Sequence, residues 1–118
     1  MADYPHFALL RDDDVLTIQL IDPKLFDTAT IAQLQEDLLD LVEREQPQRA
    51  VVDFSRVSHC STAVINGLLR AKKRLQANGG QLKLSGMIDP IRDSYRMLNL
   101  DGTVFQLYNT LEDAIAAF

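Results

Sequence analysis

The run Ala50-Val51-Val52-Asp53-Phe54 constrains the fold more than any other part of the chain. Two adjacent valines in so short an apolar stretch have the composition of a strand buried on both faces, the kind found in parallel sheets covered by helices. The flanking segments supply those helices. Ile31, Leu34, Leu38, Leu41 and Val42 recur at helical spacing, with Glu36, Asp37, Asp40 and Glu43 turned outward. Asp27 or Thr30 serves as N-cap, the latter with Gln33 completing a capping box, and Pro47 marks the stop. A second helix begins near Ser61 or Thr62 and places Ile65, Leu68, Leu69, Lys72 and Leu75 on one side. It ends at Gly79-Gly80, where a left-handed C-cap is accessible. Arg70, Lys73 and Arg74 form its polar stripe, and Lys72 snorkels from the margin.

The remaining segments extend the alternation. Phe7 to Arg11 and Val15 to Ile21 read as a hairpin around Asp12-Asp13-Asp14, since Asp bonds readily to nearby backbone in turns. Gln81 to Ser85 alternates as a strand, Pro90 opens a short helix through Ile91, Tyr95 and Leu98, and Val104 to Tyr108 reads as another strand. Thr110 with Asp113 caps a last helix ending at Phe118. The order ββαβαβαβα with short connections predicts an α/β fold: a mixed, mostly parallel sheet with an N-terminal hairpin and four helices.

At 118 residues, 47% of them hydrophobic and 25% charged, the chain has the balance of one soluble domain. It is long enough to bury roughly two-thirds of its unfolded surface without disulfide or metal staples. A single domain over residues 1–118 is therefore expected. The net charge of −5 argues against direct nucleic-acid binding through phosphate neutralisation. Its distribution is uneven: residues 1–45 carry eleven acids against three bases, and residues 46–118 six acids against nine bases, so two faces of opposite sign can meet different partners. The single Cys60 fits a reducing compartment. The N-terminus lacks a signal-peptide pattern and no apolar run has membrane-spanning length, so a cytoplasmic location with no membrane contact is expected.

No catalytic set emerges. His6 and His59 lie outside any metal-ligand spacing, and His59-Cys60 are neighbours whose side chains would point oppositely on an extended segment. Gly79-Gly80 precedes a strand, the wrong order for a phosphate-binding loop. Cys60 reads as a small buried hydrophobe, with a thiol sensor as the remote alternative. The loop Ser55-Arg56-Val57-Ser58-His59-Cys60-Ser61-Thr62 stands out instead. A hydroxyl at a helix start caps it, and the same position suits a phosphoryl group facing the free N–H groups and the positive end of the helix dipole.

From Ala50 to about Leu100 the chain resembles a STAS domain, the fold of anti-sigma factor antagonists. The resemblance lies in the strand AVVDF, then SRVSHCSTAVINGLLRAKKRL, the Gly79-Gly80 turn, QLKLSGM, and a helix ending at MLNL. Upstream, KLFDTATIAQL resembles the family's Leu-Asp segment, with Asp27 in the aspartate position. The resemblance implies a non-enzymatic regulator without a cofactor of its own. Such a protein binds an anti-sigma factor that is also a serine/threonine switch kinase, is phosphorylated by it at the start of the second helix, and meets a phosphatase as a further partner. The family pattern places Thr62 at the phosphoacceptor, with Ser61 the alternative. Ser61 stands where the family has Asp, Ala63 where it has a second Ser, and Val64-Ile65-Asn66 where it has Gly-Leu-Gly. Asp27, Ser58, His59, Ser61, Thr62 and Ile65 are the expected partner contacts. The other reading is a scaffold or oligomer subunit that is not phosphorylated and in which Thr62 is merely a cap.

Overall fold

The computed structural model describes residues 4–12 and 14–118. Strands β1 (Phe7–Asp12) and β2 (Val15–Leu20) form the expected hairpin. Of its turn, Asp14 takes a positive φ of 67°, and Asp13 lies outside the described residues. A two-residue strand β3 (Lys24–Leu25) precedes helix α1 (Thr28–Glu45), which leads to β4 (Arg49–Asp53) and a second two-residue strand, β5 (His59–Cys60). Then come α2 (Val64–Ala77), β6 (Gln81–Ser85), α3 (Asp89–Met97), β7 (Leu107–Tyr108) and α4 (Leu111–Ala116). The main sheet runs β1-β2-β4-β6-β7, antiparallel between β1 and β2 and parallel elsewhere. A separate parallel pair joins β3 to β5.

β4 sits at the centre, as its two valines require. Leu16, Ile18 and Leu20 of β2, Ala50 and Val52 of β4, and Leu82 and Leu84 of β6 pack against α1 and α2, with Ile91 and Tyr95 of α3 joining the same core. Val51 faces the other way and meets α4 through Ala114. Each such side chain, fully buried, contributes about 1.5–3 kcal/mol. The covering on the α4 side is more polar: Lys83 is buried beneath the rings of Tyr108 and Phe118, at 5.3 and 5.0 Å, and donates to Gln106.

The structure selects one of the two caps offered for α1 and changes three other local expectations. Asp27, not Thr30, caps α1, accepting the Thr30 N–H at 2.9 Å. α2 starts at Val64, three residues after Ser61, and its N-cap Ala63 offers no side-chain acceptor. The strand expected from Val104 to Tyr108 shrinks to Leu107–Tyr108. Gly102, at φ 83°, turns the chain so that the Val104 and Phe105 amides return to the Leu100 carbonyl, which buries Phe105 from a turn instead. Leu98 lies past the end of α3 and is exposed, because Asn99 adopts a left-handed conformation there. The glycine pair behaves as expected: Gly79 has a φ of 79°, and the Gly80 amide bonds back to Leu75.

Candidate functional site

The loop from β4 to α2 is held at both ends. At its base, the buried carboxylate of Asp53 accepts hydrogen bonds from Ser55 Oγ and from Ser85 Oγ, tying the carboxyl ends of β4 and β6 together. Gly86, at φ 74°, lies against this clasp, where a Cβ would stand 2.6 Å from Asp53 Oδ1. Farther along, the Ser58 and His59 amides both donate to the Pro23 carbonyl, at 2.8 and 3.1 Å, and the Ser61 amide donates to Leu25 at 2.8 Å. Ser58 Oγ adds a third donor to Pro23, at 3.0 Å. These bonds, with the β3–β5 pairing, lay the start of α1 alongside the entry to α2.

Why α2 starts late follows from this anchoring. Ser61 is still bound to the edge of β3, so it cannot adopt helical geometry, and two tight turns bridge the gap. The Val64 amide donates to Ser61 O and the Ile65 amide to Thr62 O, while Ser61 Oγ accepts from the Ala63 amide at 3.2 Å. Ser61 is thus half-buried and engaged in capping, whereas Thr62 is exposed at the apex. The first amides of the helix entry are satisfied before any ligand arrives, which weakens its pull on an anion.

Around Thr62 the surface is mixed in character. Phe26 is 56% exposed and lies 5.7 Å from the His59 ring, in a tilted stack. A shallow cavity of about 230 Å³ opens between the two helix starts, lined by Phe26, Thr28, Ile31, Gln35, Ser61 and Ala63 among others. Gln35 spans the helices by donating to the Ala63 carbonyl at 3.0 Å. The Asp27 carboxyl is held below the usual carboxylate range by the Thr30 amide and hydroxyl that bind it.

Of the residues singled out in the sequence, Asp27, Ser58, His59, Ser61 and Thr62 gather on these two adjoining segments. Ile65 does not join them: it is 7% exposed and belongs to the core. Cys60 and His59 occupy successive positions of β5, the extended geometry that separates their side chains. Burial pushes the Cys60 thiol up to about 11, far from the range of a reactive thiolate. Phe26 and Gln35 were missed. Phe26 interrupts no helical period and gave only one signal, a large aromatic beside the capping Asp27. Gln35 looked like an ordinary polar position on α1. Among the described residues no group of three or more His, Cys, Asp or Glu is placed to hold a metal, and no helix is long and apolar enough to cross a membrane.

No curated protein sequence is similar to the chain. Among solved structures, an anti-sigma factor antagonist of Mycobacterium paratuberculosis superposes with a TM-score of 0.80 at 22% identity, over 94% of this chain and 91% of that one. The Thermotoga maritima protein TM1081 gives 0.81 at 17% identity, over 97% and 95%. The phosphorylated form of the Bacillus cell fate determinant SpoIIAA gives 0.69 at 19% identity, over 94% and 97%. At these identities the likeness is one of fold. The model of the STAS domain family matches residues 6–114, nearly the whole chain, and the chain belongs to that family.

Proposed function

We propose that this STAS domain is a non-enzymatic regulator in the manner of anti-sigma factor antagonists, binding an anti-sigma factor that is also a serine/threonine kinase and released from it by phosphorylation of Thr62. One observation carries the residue assignment. Thr62 is exposed at the apex of the turn into α2, while Ser61 is half-buried with its Oγ committed to the Ala63 amide. A kinase reaching Ser61 would first have to break that cap. The contact surface is Phe26, Asp27, His59 and Thr62 together with the cavity at the two helix starts, and Ile65 stays in the core. The site lies outside the sheet core, and a phosphate there adds about two negative charges that a docked partner would have to desolvate or oppose, at a cost of several kcal/mol. ATP belongs to the kinase, and a phosphatase resets the switch.

The test combines the chain with an anti-sigma factor kinase of the family's kind and ATP, and maps the product by mass spectrometry. The phosphate is expected on Thr62, with affinity for the kinase falling at least a hundredfold. Thr62→Ala should melt within about 0.5 kcal/mol of the parent, because the cap does not use Thr62. Ser61→Ala should cost about 1 kcal/mol through the lost turn hydrogen bond to the Ala63 amide. An unmodified Thr62, together with a Thr62→Asp variant that binds as tightly as the parent, would leave the domain a constitutive scaffold.

A further inference from the structure

The main sheet has two edges, and they are unequally protected. β7 offers two residues, too few to template another strand, whereas β1 offers six, Phe-Ala-Leu-Leu-Arg-Asp, with neither Pro nor Lys to blunt it. Leu10 is 50% exposed and Leu9 36%. Ala8, Leu10 and the exposed Ile21 lie on the sheet face whose covering helix, α4, packs on β4, β6 and β7.

The hydrogen-bond phase of this edge can be read directly. Ile21 N–H donates to His6 O at 3.1 Å, so His6 and Ile21 form a hydrogen-bonded pair of the antiparallel ladder. Alternation then directs the backbone groups of Ala8, Leu10 and Asp12 toward β2, and those of Phe7, Leu9 and Arg11 outward. We infer that β1 pairs antiparallel with β1 of a second copy of this chain, about a two-fold axis at Leu9, joining the two five-stranded sheets into one.

The register follows from symmetry and chemistry. Because hydrogen-bonded and non-bonded pairs alternate, a two-fold axis through an antiparallel pair must place one residue opposite itself. With Leu9 on the axis, Phe7 and Arg11 exchange backbone bonds, Ala8 faces Leu10, and His6 faces Asp12. Apolar residues meet apolar residues in the middle, and at each end an imidazole that already contacts Asp22 meets a second carboxylate. Moving the axis to Ala8 brings Pro5, which lacks an N–H, opposite Arg11. Moving it to Leu10 sets Ala8 against Asp12 and leaves Phe7 beyond the strand. Arg11 stays paired with Glu45 of its own chain. A six-residue edge is a small interface, so the dimer is a weak one.

Sedimentation velocity of the intact chain from about 10 μM to about 1 mM spans the range where so small a contact becomes populated. The wild type should pass from monomer to dimer. Leu9→Lys sets two ammonium groups against each other on the axis and should weaken self-association at least tenfold, with an unchanged melting temperature. Independently of that variant's folding, Leu9→Cys in a Cys60→Ser chain should form a disulfide-linked dimer, copper(II)-phenanthroline accepting the two electrons and the two protons passing to solvent. The Cα atoms of a hydrogen-bonded pair lie about 5.5 Å apart, within disulfide range. Leu10→Cys, offset by two residues from its own copy, should crosslink poorly. A wild type that stays monomeric throughout overturns the inference. So does a Leu9→Lys chain that associates as the parent does, or crosslinking that favours Leu10→Cys over Leu9→Cys.

Discussion

Replacing Gly67 with alanine tests how tightly α1 and α2 are locked beside the loop. In an exposed helix the change would stabilise by about 1 kcal/mol, through backbone entropy and helix propensity. Here a Cβ at residue 67 would stand 2.5 Å from Gln35 Cγ and 3.3 Å from Gln35 Cβ. The Gln35 side chain must therefore rotate away, and its bond to the Ala63 carbonyl goes with it. Overpacking costs about 1–3 kcal/mol and the lost hydrogen bond about 1 kcal/mol. Set against the helix gain, the net expectation is a destabilisation of about 1–3 kcal/mol, or roughly 4–12 °C in melting temperature for a domain of this size. Gln35→Ala removes the obstructing Cγ and the bond together, so Gly67→Ala in that background should cost little, leaving only the Cβ contact to relax. Urea unfolding of the four chains of this cycle should give a coupling of about 1–3 kcal/mol. Additivity within about 0.3–0.5 kcal/mol would refute the claim that the two residues meet.

Two further outcomes follow from the ionisable groups of the same region. Cys60 should alkylate with iodoacetamide at pH 8 about a hundredfold more slowly than in the unfolded chain, since a thiol titrating near 11 is about 0.1% thiolate there. Between the ordinary thiol value and about 11 the native chain keeps a proton the unfolded chain has lost, so stability should fall as pH rises through that window; rapid labelling at pH 8 would contradict the burial. For Asp27 the sign is reversed: its carboxyl is held low by the Thr30 bonds, so the cap's contribution is present above the ordinary carboxylate value and fades as pH falls through the lowered one. Asp27→Asn should cap nearly as well at pH 7 and lose this acid dependence, as thermal melts of both chains between pH 7 and pH 3 would show.

The elements with a full period of buried residues were legible in the sequence. The spacing of Ile31, Leu34, Leu38, Leu41 and Val42 describes α1, and the paired valines of β4 face two different helical layers because side chains alternate along a strand. What escaped was short or set by neighbours. β3 and β5 hold two residues each and exist because the loop amides of Ser58, His59 and Ser61 find carbonyls at Pro23 and Leu25, a pairing with no periodic trace. Val104 and Phe105 carry strand composition, but Phe105 is buried, and Val104 half-buried, through a turn at Gly102. At the site, Thr62 and Asp27 stood out through their capping chemistry, whereas the demotion of Ile65 and the exposure of Phe26 depend on where α2 begins. That start is two to three residues later than the hydroxyls suggested.

The small β3–β5 rung makes the beginnings of the two main helices a single mechanical part. Ser61 cannot be displaced without pulling on the Leu25 carbonyl, and Leu25 leads within two residues to the cap of α1. Force applied at Thr62 is therefore felt at Asp27, and a protein that grips one segment steadies the other. Losses of affinity from changes at Asp27 and at Thr62 should consequently fall short of their sum, because the first break already loosens the lever on which the second acts.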